Sequence, residues 1–312
     1  MSDASDPETG TVDVDFDASA PQPTASSSAH AGRAPRERLT HFLAIPLHGQ
    51  FLEPLPAPHS AFKAAIKQFT IDEAPSEHDH DYDSEPSTRI PDGAIREFNT
   101  LHLTLGVMLL RDGDAVTKAV SALESLDLKQ FLPSTSTTTG DAVTDADAKA
   151  PLFIDLRGLS PMATGAIKKC SVLMMPPTDA TNRLYPFANA LKAHFTTLGL
   201  LQEEHRPLKL HATLVNTIYC KPDKTARDSR RKEKDKNARG GKKGKGRRID
   251  FRFDASEVLQ RYDGHVFGQG IEVDRVQICK MGAKKGVEVV GEDGEVDVVG
   301  GGYEVVASKT IW

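Results

Sequence analysis

After about residue 38 the chain falls into short apolar runs whose period switches between two and about 3.6. "LTHFLAIPL" (39–47) is nearly continuous in apolar residues and is broken by Pro46 and Gly49, which predicts a first strand. "HSAFKAAIKQF" (59–69) spaces Phe62, Ala65, Ile66 and Phe69 along one helical face. "LHLTLGVMLL" (101–110) returns to period two: Leu101, Leu103 and Leu105 point one way, while His102 and Thr104 point the other, roughly 7 Å apart along a strand. A second helix is expected at about 114–128, through Val116, Val120, Leu123 and Leu126.

The pattern then repeats. "PLFIDLRGL" (151–159) and "IKKCSVLMMP" (167–176) read as strands. "NRLYPFANALKAHFTTLGL" (182–200) reads as a helix with Leu184, Phe187, Leu191, Phe195 and Leu198 inside and Pro186 in its first turn, where a missing N–H costs little. "PLKLHATLVNTIY" (207–219) is a further strand. "IDFRFDASEVLQRY" (249–262) predicts a short strand and helix, and "IEVDRVQICKM" (271–281) and "GYEVVASKTIW" (302–312) predict two last strands. Helices and strands alternate in two similar halves, so the class is α/β or α+β.

Composition changes this picture at three places. Residues 1–38 are acidic and then rich in Ser, Pro and Ala, with too few large apolar side chains to offset ordering entropy, so a disordered tail is expected. Segments 71–97 and 133–150 read as flexible insertions, and so does 221–248, which holds 14 Lys or Arg against 4 Asp or Glu. That run leaves the rest of the chain strongly acidic beneath a formal net charge of -5, so the overall balance says little about partners. The run itself suits RNA phosphates or nuclear import. Three scattered cysteines without a CxxC pair fit a reducing compartment. No signal peptide or membrane span is expected, which predicts a soluble intracellular protein.

The chemistry lies in a repeat. His211 and Thr213 share one face of "KLHATLVNT" as His102 and Thr104 share one face of theirs, 109 residues earlier. One His-x-Thr in a strand is usually a structural histidine, but neither strand needs an imidazole for packing, and burying one without a partner is costly. Two histidines with ordinary pKa values near 6.5 suit phosphodiester transfer or hydrolysis: one takes a proton from a hydroxyl or water, the other gives one to the leaving oxygen. A hydroxyl two residues along can hydrogen-bond a non-bridging phosphate oxygen. "EHDHDYD" (77–83) has metal-ligand residue types but sits in a polar loop without a scaffold, and His41, His48, His59, His194, His205 and His265 lack the motif. For base stacking, Phe42, Tyr185 and Tyr219 are available, and loops 71–97, 159–166 and 282–302 would shape substrate choice.

The two motifs, with "THFLAIPL", "FNTLHLTLGVMLL", "PLKLHATLVNT" and "FDASEVLQRYDGHVFG" running into "VDRVQICKM", resemble the 2H phosphoesterase superfamily, also described as 2'-5' RNA ligase-like. The closer resemblance is to the branch holding activating signal cointegrator 1 complex subunit 1 and the A-kinase anchor protein nuclear-localisation-signal-like domain. The resemblance implies an α+β fold of two pseudo-symmetric antiparallel lobes, with helices outside and a central cleft, spanning residues 39–312. It implies His102 and His211 as catalytic residues and Thr104 and Thr213 as phosphate-binding ones, with no metal and no cofactor. The expected activity is a metal-independent phosphodiesterase, working as a monomer in the nucleus and/or cytoplasm on RNA ends, cyclic phosphates or 2',5'-linked oligonucleotides. The alternative is a nucleotide- or RNA-binding subunit of a transcription-coactivator or repair complex with little or no catalysis.

Overall fold

The apolar run at 39–47 forms strand β1 (His41–Pro46), whose six residues are all buried. A strand covered on both faces needs no alternation. Leu43 and Ile45 enter the main core, while Phe42 and Ala44 join Cys279 in a smaller apolar cluster on the opposite face. Strand β2 (His102–Met108) alternates instead: Leu103 and Leu105 are fully buried, and His102 and Thr104 are half-buried. The computed structural model describes residues 37–47, 62, 90–134, 150–204, 206–220, 252–284, 286–290, 296–299 and 301–312, and residues 38–312 form one unit.

Ten further strands follow: β3 (Phe153–Arg157), β4 (Ser160–Pro161), β5 (Val172–Met175), β6 (Pro177–Thr178), β7 (Ala212–Asn216), β8 (Val266–Glu272), β9 (Arg275–Lys280), β10 (Val287–Val290), β11 (Val296–Val299) and β12 (Val305–Thr310). The main sheet runs β12-β9-β1-β2-β7-β5-β4, beside a β6-β3-β8 sheet and a β10-β11 hairpin. Every ladder is antiparallel. Helices α1 (Gly113–Glu124), α2 (Leu184–Thr197) and α3 (Ser256–Arg261) send Leu123, Leu191 and Val258 into the same core as Leu43 and Leu103. The class is therefore α+β, with the helices on one face of the main sheet and the His-x-Thr residues on the other.

Helix α2 is fastened at both ends. The Asp179 carboxylate accepts from the backbone N–H groups of Thr181, Arg183 and Leu184 and from the Thr181 hydroxyl. Burial opposes its ionisation, but those hydrogen bonds outweigh burial and lower its pKa. Arg183, buried, donates to the carbonyls of Ala150 and Pro151, both at 2.9 Å, and so ties the helix start to the entrance of β3. At the other end Gly199 takes φ 68°, its N–H bonding Thr196 O while Leu200 N–H bonds Phe195 O. This is the Schellman arrangement. The chain then turns back so that Gln202 N–H reaches Val107 O and Leu201 lies over Gly106 of β2. A Cβ on Gly106 would stand 2.8 Å from Leu201 Cδ1, so the glycine serves close approach.

Several expectations change. Leu198, expected inside, is the C-cap and 37% exposed, because the helix ends before its phase reaches the core. The expected strand 271–281 is two strands in different sheets, turning at Val273 and Asp274, which hydrogen-bond Leu152 O and Ile311 N. The expected loop 282–302 contains the β10-β11 hairpin, and the strand at 207–219 is regular only over β7. The helix at 114–128 stops at Glu124. Of the helix expected at 59–69, only Phe62 is described, buried against the rings of Tyr262 and Phe267. The tail at 1–36 and most of the three insertions lie outside the described residues, as does the 77–83 segment.

Two substitutions test this framework. Gly106→Val should destabilise by about 1–3 kcal/mol in urea denaturation, through overpacking. Adding Leu201→Ala should recover part of that loss, and simple additivity would contradict the contact. Asp179→Ala should cost about 1–2 kcal/mol at neutral pH as a lost helix-start cap. Because the folded carboxylate pKa is depressed, that stability is present above 3.8 and lost as pH falls further, so wild type and variant should converge in acid.

Candidate active site

The two motif strands touch at a single ladder pair, Leu103 with Ala212. Both side chains are wholly buried in the main core. One step along each antiparallel strand leads to His102 and Thr213 in one direction and to Thr104 and His211 in the other. All four are half-buried on the face turned away from that core. The seam then changes strands: Ile95 bridges Val215, and Arg96 N–H donates to Leu214 O at 2.8 Å, so the segment before β2 replaces β2 beside β7.

Both histidines are held alike. His102 Nδ1 lies 2.7 Å from Thr100 O, and His211 Nδ1 lies 2.7 Å from Lys209 O. A carbonyl oxygen can only accept, so Nδ1 carries hydrogen in each ring. Nε2 is thereby the nitrogen left to exchange a proton. For His102 the acceptor is presented by the turn Phe98–Thr100, itself closed by the Thr100 hydroxyl on Glu97 O. Among the described residues, the hydroxyls of Thr104 and Thr213 make no hydrogen bond, whereas Thr100 and Thr217, just outside the motifs, bond to backbone carbonyls.

Their surroundings differ. Burial lowers the pKa of His211; the bond to Lys209 O works against this, and the Lys209 ammonium reinforces it. His102 instead sits among aromatic rings. Its ring lies 4.8 Å from that of Phe42 at 34°, and 5.2 Å from that of Tyr303, edge-on at 85°. Phe42 and Ala44 share the apolar cluster on this face of β1. The Tyr303 hydroxyl accepts from Arg96 Nη2 at 2.9 Å. Beside His102, Phe42 and Tyr303 border a small cavity whose wall also holds Gln277, Cys279 and Val305. Burial raises the Cys279 thiol to about 11, so it lines the wall as a neutral group.

The sequence-predicted residues are thus partly gathered. His102, Thr104, His211 and Thr213 lie at one strand crossing. Of the aromatic candidates, Phe42 is buried beneath His102 and Tyr303, Tyr185 starts α2 away from the cavity wall, and the Tyr219 side chain lies outside the description. His41 is buried on the core face with Nδ1 2.9 Å from the Thr40 hydroxyl, its pKa lowered by burial and then by Lys280. His194 and His265 pack against Phe195 and Phe267. Tyr303, Arg96 and Gln277 were not singled out by sequence. The available signal was the glycine pair before Tyr303: Gly301 and Gly302 take φ 80° and 90°, and a Cβ on Gly302 would meet Asn99 O at 3.1 Å. Only glycine lets the chain turn there and bring Tyr303 onto His102.

Comparison with known proteins adds a lineage to this geometry. An uncharacterized protein of Schizosaccharomyces pombe is 27% identical over 207 residues, covering 66% of this chain and 75% of that protein. Activating signal cointegrator 1 complex subunit 1 of Mus musculus is 25% identical over 122 residues, or 39% of this chain, and the match spans only 31% of the mouse protein. Among solved structures, Escherichia coli LigT complexed with 3'-AMP shares 14% identity at a TM-score of 0.37, covering 88% of this chain and 99% of that one. Kluyveromyces marxianus Usb1 shares 9% at 0.31, covering 77% and 93%. The family described as the AKAP7 2'5' RNA ligase-like domain matches residues 39–288, four-fifths of the chain. The chain belongs to that family, within the 2H phosphoesterase superfamily.

Proposed function

We propose that the chain is a metal-independent phosphodiesterase in which His102 and His211 exchange protons with the reacting oxygens while Thr104 and Thr213 bind the phosphate. The observation that carries this reading is the matched pair of Nδ1–H to carbonyl bonds at one strand crossing, beside two threonine hydroxyls without protein partners among the described residues. Membership of a family of phosphoesterases supports it.

His211, kept neutral by burial and by Lys209, is the base: its Nε2 takes the proton of the attacking water or ribose hydroxyl as that oxygen bonds to phosphorus. His102 is the acid. The face of Phe42 gives its imidazolium a cation–π contact, and its Nε2–H protonates the leaving oxygen as the P–O bond breaks. The hydroxyls of Thr104 and Thr213 donate to the non-bridging oxygens, whose charge grows in the transition state. The turnover ends with His211 protonated and His102 neutral, and exchange with solvent restores both. Substrates of this chemistry are RNA ends, 2',3'-cyclic phosphates and 2',5'-linked oligonucleotides, met in the nucleus and/or cytoplasm. The likeness to a complex subunit supports a second reading, a nucleotide- or RNA-binding component of a coactivator or repair assembly.

Cleavage of a panel of 2',3'-cyclic nucleotides, 2',5'-oligoadenylate and 3'-uridylated RNA, with EDTA present, separates the two. Turnover that survives the chelator and falls by roughly 10²–10⁴-fold in both His102→Ala and His211→Ala supports the enzyme. Nucleotide binding with equal inertness of wild type and variants supports the second reading.

The pH profile tests the roles. Because the His211 pKa lies below 6.5 and the base must be neutral, kcat/KM should hold down to pH 6.5 and fall only below it. Lys209→Met removes a charge that lowers this pKa, so the acidic limb should move to higher pH. A limb that stays in place would remove His211 from the role of base.

A further inference from the structure

Both histidines make an Nδ1–H bond to a carbonyl, but one such bond does not fix an imidazole. The torsion that turns the ring is broad and roughly two-fold, so a ring held at one atom can still tilt about it. Among the described residues His211 has no ring neighbour, whereas His102 has two. Phe42 lies against it at 34° and Tyr303 at 85°, and these two rings brace each other, 4.8 Å apart at 79°.

Tyr303 is itself tied down. The main chain on either side of it is paired: Gly302 exchanges two backbone bonds with Lys284, at 2.8 and 3.0 Å, and Glu304 O accepts from Lys280 N–H at 2.9 Å. Its hydroxyl accepts from Arg96 Nη2 at 2.9 Å. The Arg96 main chain in turn donates to Leu214 O, on the residue after Thr213 in β7. A continuous path therefore runs from β7 through Arg96 and Tyr303 to the His102 ring. It matters because β2 and β7 share a single ladder pair, which sets a point of contact between the two motif strands. Fixing a ring on one strand relative to groups on the other needs a second tie, and a misplacement of about 1 Å in a reacting group can cost about 100-fold in rate.

We propose that Arg96 and Tyr303 are positioning residues: the bond from Arg96 Nη2 to the Tyr303 hydroxyl holds the tyrosine ring on His102 and so aims the imidazole relative to the strand that carries His211 and Thr213. The proposal rests on the two-histidine reading above for the reaction that this positioning serves.

The test joins spectroscopy with kinetics on the full chain. Two-bond nitrogen–proton NMR of the 15N-histidine-labelled protein, in mildly alkaline buffer where free imidazoles are neutral, reads each ring's tautomer. The His102 signals, assigned by their loss in His102→Ala, should be those of one Nδ1–H form in wild type. They should shift or broaden in Tyr303→Phe and in Arg96→Met, and more so in Tyr303→Leu, which also removes the ring. Unchanged signals of His194 and His265, which pack on Phe195 and Phe267, show that each variant is folded. Kinetics use whichever 2',3'-cyclic nucleotide or 2',5'-oligoadenylate wild type cleaves. Tyr303→Phe and Arg96→Met should each lower kcat by roughly 10–100-fold and leave KM unchanged. Because both act through one bond, the double variant should be no slower than the slower single one. His102 signals that stay as in wild type, or additive losses in kcat, overturn the positioning role and leave the two-histidine reading standing. A raised KM with kcat intact also overturns it, by placing Arg96 on the substrate. Altered His102 signals in a protein that cleaves nothing overturn catalysis alone.

Discussion

The two parts of the main sheet meet through one ladder pair, Leu103 with Ala212, and the placement of both His-x-Thr motifs depends on that economy. A long, regular β2-β7 ladder would leave no place beside β7 for the segment that precedes β2. Instead the strands part after one pair, and residues 95 and 96 take over the bonding to β7. The excursion between Arg96 and His102 is what supplies Thr100 O as an acceptor for His102. Main-chain geometry at the seam thus sets the tautomer of a side chain.

The same economy makes the two histidines inequivalent. Each has the same bond from Nδ1, so the difference lies outside the motif: a lysine and burial on one side, an aromatic box on the other. A pair of identical groups in identical settings would have no built-in preference for which of them carries the proton. Acid–base work on one phosphate needs them to differ.

Much of this was legible in the residues. Period two around His102 and His211 survives in the structure residue by residue, because one face of each strand is fully buried and fixes the register. The corner between β8 and β9 was also written there, as a slip of phase: Ile271 and Val273 are buried at odd positions, Val276 and Ile278 at even ones. A regular strand cannot make that change without a bulge or a turn. What was not legible came from distant segments. Tyr303 and Gln277 reach the cavity through the pairing of β9 with β1 and β12, which no local period encodes. Leu198 was misplaced because helical spacing continues past Gly199 while the helix does not.

Arg96 joins parts that the strands leave separate. Its main chain is bonded to Leu214, three residues after His211, and its guanidinium holds the phenol of Tyr303, which leads into the edge strand β12. Arg96 therefore ties the seam beside β7 to the tyrosine that packs on His102. A shorter cation at that position would have to draw the seam and the tyrosine together or let the tyrosine go.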